Sequence, residues 1–287
     1  MSLAIVYTRA ALGIEAPLIT VEVHLSNGLP GLTMVGLPET TVKEARDRVR
    51  SALINSGYAF PAKKITINLA PADLPKEGGR YDLPIALALL VASEQLNTTR
   101  LNQYEFVGEL ALTGGLRGVP GAIPSAMEAI KAGRRIVVSS DNAAEVGLIG
   151  GSDCLVADHL QEVCAFLAGQ TSLSPPLAEA PTVDERGEDL RDVIGQQQGK
   201  RALEIVAAGG HNLLLIGPPG TGKTMLASRL PGLLPPLSNQ EALESTAIQS
   251  LVNLHTAKTR WRQRPFRAPH HSASLAAMVG GGSIPVP

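Results

Sequence analysis

The sequence is organised around eight consecutive residues, Gly217-Pro218-Pro219-Gly220-Thr221-Gly222-Lys223-Thr224. They match the phosphate-loop pattern G-x-x-x-x-G-K-S/T at every fixed position. The apolar run at 212–216 just before them has the length of a buried strand, and residues 225–230 just after them are good helix formers that end at Pro231. Strand, glycine loop and helix is the order that phosphate binding requires, so the context supports the match better than a chance Gly/Pro-rich turn does.

The residue types in this loop predict a site for ATP with Mg²⁺. Gly217, Gly220 and Gly222 can adopt positive φ, which lets the backbone approach a polyphosphate closely. The N–H groups of the loop and of the following helix N-terminus offer aligned donors to the phosphates. Lys223 is expected to reach the β- and γ-phosphates, and the hydroxyl of Thr224 is expected to ligate the magnesium ion. We assign all eight residues at 217–224 to the nucleotide site.

Composition sets the broad class of the chain. Its 287 residues suggest two domains, and 44% hydrophobic residues is enough for real cores. With a net charge of -1, any nucleic-acid contact must come from a local patch, and 3% aromatic residues argues against a base-stacking platform. Cys154 and Cys164, without a neighbouring histidine, read as buried thiols in a reducing cytosol. We find no signal peptide and no apolar run of membrane-spanning length, and expect a cytoplasmic protein without a membrane partner.

Residues 1–170 read as one α/β unit. Their apolar periodicity predicts strands at 19–25, 64–70, 106–112 and 135–139, and helices at 38–56, 83–93, 123–132 and 159–168. On the first of these helices Lys43, Arg46 and Arg50 form a basic stripe. Acidic residues interrupt the stripe, which favours a solvated face over a nucleic-acid contact.

A change of composition separates a second unit. Residues 171–189 are rich in proline and charge and predict a linker, and residues 190–287 contain the phosphate loop. Ile194-Gly195-Gln196 precedes a helix predicted at 199–208, which Gly209 and Gly210 would close. Four apolar residues of this helix are expected to pack on the strand at 212–216, namely Ala202, Leu203, Ile205 and Val206.

Several stretches together resemble a known family. They are Gly36-Leu37-Pro38-Glu39, residues 68–76, Asp192-Val193-Ile194-Gly195-Gln196, the phosphate loop, and Arg264-Pro265-Phe266-Arg267-Ala268-Pro269-His270-His271. The chain is similar over essentially its whole length to the magnesium-chelatase-like AAA+ ATPases of the ComM/YifB type. The resemblance implies an α/β (α+β) fold: a domain like the Lon protease catalytic domain and ribosomal protein S5 domain 2, then the N-terminal part of a P-loop AAA+ module. It further implies homo-hexameric rings and ATP-driven branch migration on DNA. We add Ile194, Gly195 and Gln196 to the nucleotide site.

The resemblance to Lon also suggests peptidase activity as an alternative function. The residues at the two catalytic positions argue against it. Arg80 stands where the Lon nucleophile would be, and Val119 stands where its lysine would be. An arginine cannot serve as an acyl nucleophile and a valine cannot deprotonate one, so we expect an interaction or nucleic-acid-facing domain instead of a protease. A chelatase subunit that inserts magnesium into protoporphyrin is a further alternative. The resemblance implies that those subunits lack the N-terminal unit, so residues 1–170 argue against it. A chaperone-type motor, or an interaction domain without enzymatic activity, also stays open.

The end of the sequence is basic. No acidic residue follows Glu244, and basic residues alternate with Trp261 and Phe266, a composition that can neutralise phosphates and stack on bases. The candidate DNA contacts are Arg260, Arg262, Arg264, Arg267 and His270. Alternatively, the arginines hold a neighbouring subunit or a nucleotide. His270 and His271 are adjacent, so on a strand they would point to opposite faces and would not form a metal pair.

One expected element does not occur in the sequence. No apolar strand ending in Asp-Glu (a Walker B motif) follows the phosphate loop. The resemblance implies that family members carry this strand, a polar sensor, an arginine finger and a helical lid. Without a carboxylate near the metal and a base for the attacking water, we expect these 287 residues alone to hydrolyse ATP weakly or not at all. For the same reason we expect the second unit to be poorly packed.

Overall fold

The computed structural model describes residues 2–36, 44–176, 188–251, 261–270, 272–274 and 278. Contacts within the chain divide it into two compact units. The first comprises Met1–Ala180 with Thr246–Ala257, and the second comprises Pro181–Ser245 with Lys258–Pro287. The division falls inside the linker predicted at 171–189, of which residues 177–187 lie outside the described ranges. The domain boundaries proposed from the sequence therefore stay a prediction.

A mixed sheet forms the centre of the first unit. Its strands are β1 (Ser2–Arg9), β2 (Leu18–Ser26), β3 (Gly31–Val35), β4 (Lys64–Ala70), β5 (Tyr104–Phe106), β8 (Arg135–Ser139) and β9 (Cys154–Ala157), and β6 (Glu109–Leu110) pairs separately with β7 (Leu116–Arg117). The order across the seven-stranded sheet is β3-β4-β2-β1-β5-β8-β9. Strands β1–β2 and β2–β4 pair antiparallel, and the other neighbours pair in parallel. The predicted α/β class is confirmed.

Helices accompany the sheet and make up most of the regular structure of the second unit. In the first unit they are α1 (Ala45–Asn55), α2 (Asp82–Ala92), α3 (Ala122–Lys131), α4 (Ala143–Val146) and α5 (Leu160–Leu167). After the linker come α6 (Gln197–Gly209), α7 (Lys223–Ala227), α8 (Leu230–Leu233) and α9 (Asn239–Ser250). Within the described ranges, none of these helices combines the length and the apolar character needed to cross a bilayer.

The core of the first unit follows from the sequence pattern. Strands β2 and β4 alternate between buried and less buried positions, so that Val21, Val23 and Ile67 all face the core. Helix α2 is apolar on every side and is buried along almost its whole length against β1 and β2. Pro84 lies in its first turn, where no intrahelical N–H bond is lost.

Two ion pairs lie within this core. Glu105 is fully buried, and its carboxylate accepts from Arg9 Nε at 2.6 Å, from Arg9 Nη2 at 2.8 Å and from Arg134 Nη1 at 3.3 Å. Asp82, at the start of α2, accepts from Arg48 Nε at 2.6 Å. Removal of one partner from such a pair leaves an uncompensated buried charge, so both pairs fix how the surrounding elements pack.

The strand predicted at 106–112 is in fact divided into β5 and β6. The backbone of Gly108, between them, does not extend the ladder: its N–H donates to Arg80 O at 3.2 Å, and its carbonyl accepts from Leu83 N at 3.1 Å. Just beyond it, Leu110 N donates to Asp82 Oδ2 at 3.2 Å. The start of α2 therefore takes the hydrogen bonds that a continuous strand would have used.

The buried strand predicted at 212–216 is wrong for the residues described. This run has no strand conformation, and the side chains of Leu214 and Ile216 are 80% and 86% exposed. A strand is stable only when a neighbour completes its ladder, and no described strand pairs with this run. Helix α6 is affected as well: Leu203 and Val206 are buried as expected, whereas Ile205, which was expected to pack on that strand, is exposed.

Candidate nucleotide site

The phosphate loop adopts the backbone that its glycines permit. Gly220 and Gly222 have φ of +81° and +82°, in the left-handed region that favours glycine. Gly222 directly precedes α7, so that Lys223 is the first residue of that helix. A Cβ added at Gly217 would lie 3.2 Å from Thr221 Oγ1, a tight contact. Each of the three glycines thus has a local reason to lack a side chain.

The Lys223 ammonium is held inside this loop. Its Nζ donates to Pro218 O at 2.7 Å and to Gly217 O at 2.9 Å, and it lies 3.4 Å from Thr221 Oγ1. Thr221 Oγ1 in turn donates to Pro218 O at 2.9 Å. Although 217–224 is a surface loop, its one cation is fixed beside the loop backbone, a position from which it can form charge-assisted hydrogen bonds to an anion.

The segment Ile194-Gly195-Gln196 meets the same loop. Gln196 Nε2 donates to Thr221 O at 3.2 Å, and both Gly195 and Gln196 have positive φ, at +70° and +55°. Ile194 is 95% exposed, whereas Val193, directly before it, is buried. The structure thus brings the two sequence-predicted parts of the nucleotide site together and leaves an apolar side chain exposed next to them.

A small apolar cluster packs against the helix that follows the loop. It consists of four buried residues: Leu190, Val193, Leu203 and Leu226. Leu226 belongs to α7 and Leu203 to α6, so the cluster joins the two helices. The helices approach closely, because a Cβ added at Gly199 of α6 would lie 2.8 Å from Leu226 Cδ1.

Thr224, the predicted magnesium ligand, lies in the first turn of α7 and is exposed. In the described part of the chain, no cluster of three or more His, Cys, Asp or Glu residues could hold a metal ion by itself. A Mg²⁺ ion commonly binds through phosphate oxygens, water and one or two protein oxygens, and the exposed hydroxyl of Thr224 is one such oxygen.

Two arginines of the basic segment bond to residues 235–237. Arg262 Nε donates to Leu237 O at 2.7 Å, Leu237 N donates back to Arg262 O at 2.9 Å, and Arg264 Nε donates to Pro235 O at 2.9 Å. These two arginines therefore tie their own segment to 235–237.

The other candidate DNA contacts in this segment differ in exposure. Trp261 is buried, which argues against a role in base stacking, and Arg267 is exposed. His270 Nδ1 lies 2.7 Å from Ser272 Oγ. Arg260 and His271 lie outside the described residues. The assignment of these residues to DNA stays a prediction.

Arg80 and Val119, which occupy the two catalytic positions of the Lon peptidase, lie close together. Arg80 is buried, and its guanidinium donates to the backbone carbonyls of Arg9 and of Pro120, the residue after Val119. Burial lowers the pKa of Arg80. Val119 is buried too, and the side-chain amide of Asn142 bonds to its backbone N–H and carbonyl, each at 3.0 Å. Neither side chain at this place can act as a nucleophile or as its base.

Comparison with known proteins confirms the family resemblance seen in the sequence. Residues 21–142 match a family model described as subunit ChlI of Mg-chelatase, and residues 189–287 match a second one described as magnesium chelatase, subunit ChlI. The chain is 77% identical over 287 residues to the protein YifB of Salmonella typhimurium and 75% identical over 287 residues to YifB of Escherichia coli. It is 58% identical over 292 residues to the competence protein ComM of Haemophilus influenzae. All of the chain takes part in these alignments, and it spans 57% of the length of each relative.

These matches define the class of protein. The chain belongs to the same Mg-chelatase-like family as YifB and ComM. The first match also weakens one expectation from the sequence. Residues 1–170 were expected to set the chain apart from chelatase subunits, yet residues 21–142 themselves match a model with that description.

Proposed function

We propose that the full-length protein is a motor that binds ATP with Mg²⁺ and uses its hydrolysis to move on DNA, as a homo-hexameric ring in the cytoplasm. The observation that carries the ATP part is the position of Lys223, whose ammonium is fixed inside a loop with left-handed glycines. In this site the loop backbone and Lys223 would bind the phosphates. Thr224 would ligate the Mg²⁺, which when bound neutralises charge on the β- and γ-phosphates.

The nucleoside would lie beside the segment Ile194-Gly195-Gln196, which contacts the loop through Gln196. Ile194 is exposed there, and Gln196 holds its segment to Thr221. An exposed apolar residue next to a polar loop suits a ligand that has an apolar base and an anionic tail. Hydrolysis also requires a group that positions the attacking water, and none of the eight loop residues is acidic. In the full-length protein that group would come from outside the loop.

Three observations support DNA as the substrate on which the motor moves. The sequence is free of acidic residues after Glu244, Arg267 is exposed within that region, and a relative with 58% identity is named a competence protein. The second candidate is a chelatase-like or chaperone-type motor that acts on a protein complex. It is favoured by the descriptions of both matching family models.

The test is ATP hydrolysis by the full-length protein with and without DNA. We expect hydrolysis that rises on addition of single-stranded or branched DNA and is lost in Lys223→Ala. The matched control is Lys131→Ala, which removes an exposed lysine of the first unit. Hydrolysis that depends on Lys223 but ignores DNA would favour the second candidate, and hydrolysis that persists in Lys223→Ala would contradict the proposed site.

The DNA contact can be tested by the salt dependence of binding. Arg267→Ala is expected to lower the slope of log K against log salt by about 1, as for one lost phosphate contact. The matched control is Arg201→Ala, since Arg201 is an exposed arginine on α6 that pairs locally with Glu204. An unchanged slope in Arg267→Ala would exclude this residue as a phosphate contact.

A further inference from the structure

A group of polar contacts lies just beyond the C-terminal end of α7, away from the phosphate loop. Arg229, two residues after the helix, has a side chain that is only 13% exposed. Its Nη1 donates to Glu188 Oε2 at 3.1 Å and to Met225 O at 2.7 Å, and its Nε donates to Asp189 O at 3.2 Å. Ser228 Oγ also donates to the Glu188 carboxylate. We call Glu188, Ser228 and Arg229 the clasp.

The clasp fixes the start of the segment that leads to the nucleotide site. Asp189 caps a short 3-10 helix, Leu190–Asp192, through a reciprocal capping box with Asp192. Leu190 and Val193 then enter the apolar cluster under α7. The chain from the clasp to Ile194 is therefore held continuously, first by polar contacts and then by apolar ones.

The far end of the same segment is held by the phosphate loop, through the bond from Gln196 Nε2 to Thr221 O. The segment 188–196 therefore bonds to residues on both sides of α7. Its last residue, Gln196, bonds to Thr221 before the helix, and its first two residues bond to Arg229 after the helix. Between these points Gly195 and Gln196 keep left-handed backbones, which in a non-glycine residue such as Gln196 persist only when the surroundings support them. Loss of one fastening would let this part of the segment relax.

We infer that Arg229 is a positioning residue that holds Ile194-Gly195-Gln196 in place for the nucleoside part of the ligand. This rests on the proposed nucleotide site and adds to it. Among the described residues, the side chain of Arg229 forms its hydrogen bonds outside the loop at 217–224, with Glu188, Asp189, Met225 and Ser228. The hydrogen bonds of the Lys223 ammonium lie within that loop. Removal of the Arg229 side chain should therefore weaken binding of the nucleoside and spare binding of the phosphates.

The experiment compares two ligands that share a phosphate chain. Affinities of the full chain for Mg-ATP and for magnesium tripolyphosphate are measured for the wild type, Arg229→Met, Lys223→Ala and the control Arg201→Met. Arg229→Met should weaken ATP binding roughly tenfold, the size expected for the loss of a charged hydrogen-bond donor, and should change tripolyphosphate binding less than about twofold. Lys223→Ala should weaken the binding of both ligands, and Arg201→Met should weaken the binding of neither.

A second variant guards against simple misfolding. Glu188→Gln keeps the shape of the clasp and removes one charge, so it should weaken ATP binding in the same direction as Arg229→Met but by less. Arg229→Lys should restore part of the loss, because an ammonium can still reach one of the carbonyl partners. Thermal unfolding checks that each variant is folded.

Three outcomes would overturn the inference. The first is an equal loss of affinity for both ligands in Arg229→Met, which would indicate a general loss of structure. The second is ATP binding by Arg229→Met that equals that of the wild type, while the wild type binds both ligands. This outcome would contradict the role of Arg229 and leave the proposed nucleotide site intact. The third is a wild type that binds neither ligand, which would remove the proposed nucleotide site and this inference with it.

Discussion

Glu145 is an acidic residue whose surroundings disfavour its charged form. It lies on α4 and is almost completely buried. One carboxylate oxygen accepts from the side-chain amide of Asn142, and the other, Oε2, is buried without a hydrogen-bond partner among the described residues. Burial raises the pKa of Glu145 to about 7, and the bond from Asn142 offsets only part of that rise. The folded protein therefore favours the protonated acid.

This predicts a specific dependence of stability on pH. Because the pKa of Glu145 rises from an ordinary value of 4.5 to about 7 on folding, its contribution to stability is complete below about pH 4.5 and is lost as the pH rises through 7. Glu145→Gln keeps the neutral shape, so it should raise the free energy of unfolding at pH 8 by about 1–3 kcal/mol and change it little at pH 4.5. Urea unfolding of the first unit at both values measures this.

Glu15→Gln is the control for this prediction, because Glu15 is exposed. It should leave the pH profile of the wild type unchanged. If the profiles of the wild type and of Glu145→Gln ran parallel between pH 4.5 and 8, the buried carboxyl would not be the titrating group.

Single residues differ in how far the sequence predicts their role. The left-handed backbone of Gly220 and Gly222 follows from one short motif, whereas the bonds from Lys223 to the loop carbonyls were found only in the structure. Arg229 and Glu188 lie 41 positions apart, and Arg48 and Asp82 lie 34 apart. No short pattern marks such pairs, because the fold of the intervening chain brings them together. The buried Arg80, predicted only as a residue that cannot be a nucleophile, likewise showed its backbone partners only in the structure.

Among the described helices of the first unit, α2 is the most completely buried. It is apolar on all sides and buried against the middle of the sheet. Leu87→Ala should lower the free energy of unfolding by about 2–5 kcal/mol, since it leaves a cavity that a close-packed core fills only partly. The control is Ile54→Ala on α1, where the side chain is about half exposed and the cost should be under about 1 kcal/mol. Equal effects of the two substitutions on urea unfolding would contradict the role given to α2.

Elements with a complete pattern were predicted closely. The strand at 64–70 and the strand at 135–139 occur at those residues, and the helix predicted at 83–93 occurs as α2, Asp82–Ala92. The helix predicted at 38–56 is described from Ala45 to Asn55, and residues 38–43 lie outside the described ranges. The failures came where an element depends on a partner distant in sequence. Gly108 gives its hydrogen bonds to the start of α2, and the run at 212–216 meets no described strand.

For the whole molecule, the two units differ in what holds them together. The first has two buried apolar clusters built around a seven-stranded sheet. In the described part of the second, the buried apolar cluster is small, and polar bonds from Arg229, Arg262 and Arg264 join its segments. A ligand that binds only the folded state adds stability. Nucleotide is therefore expected to stabilise the second unit more than the first.

Calorimetric titration of the intact protein with Mg-ATP tests the central claim most directly. The account predicts a binding heat with one nucleotide per chain, and its loss in Lys223→Ala, because the ammonium fixed inside the glycine loop would bind the phosphates. A heat of the same size in Lys223→Ala, or no heat in a folded wild type, would contradict it.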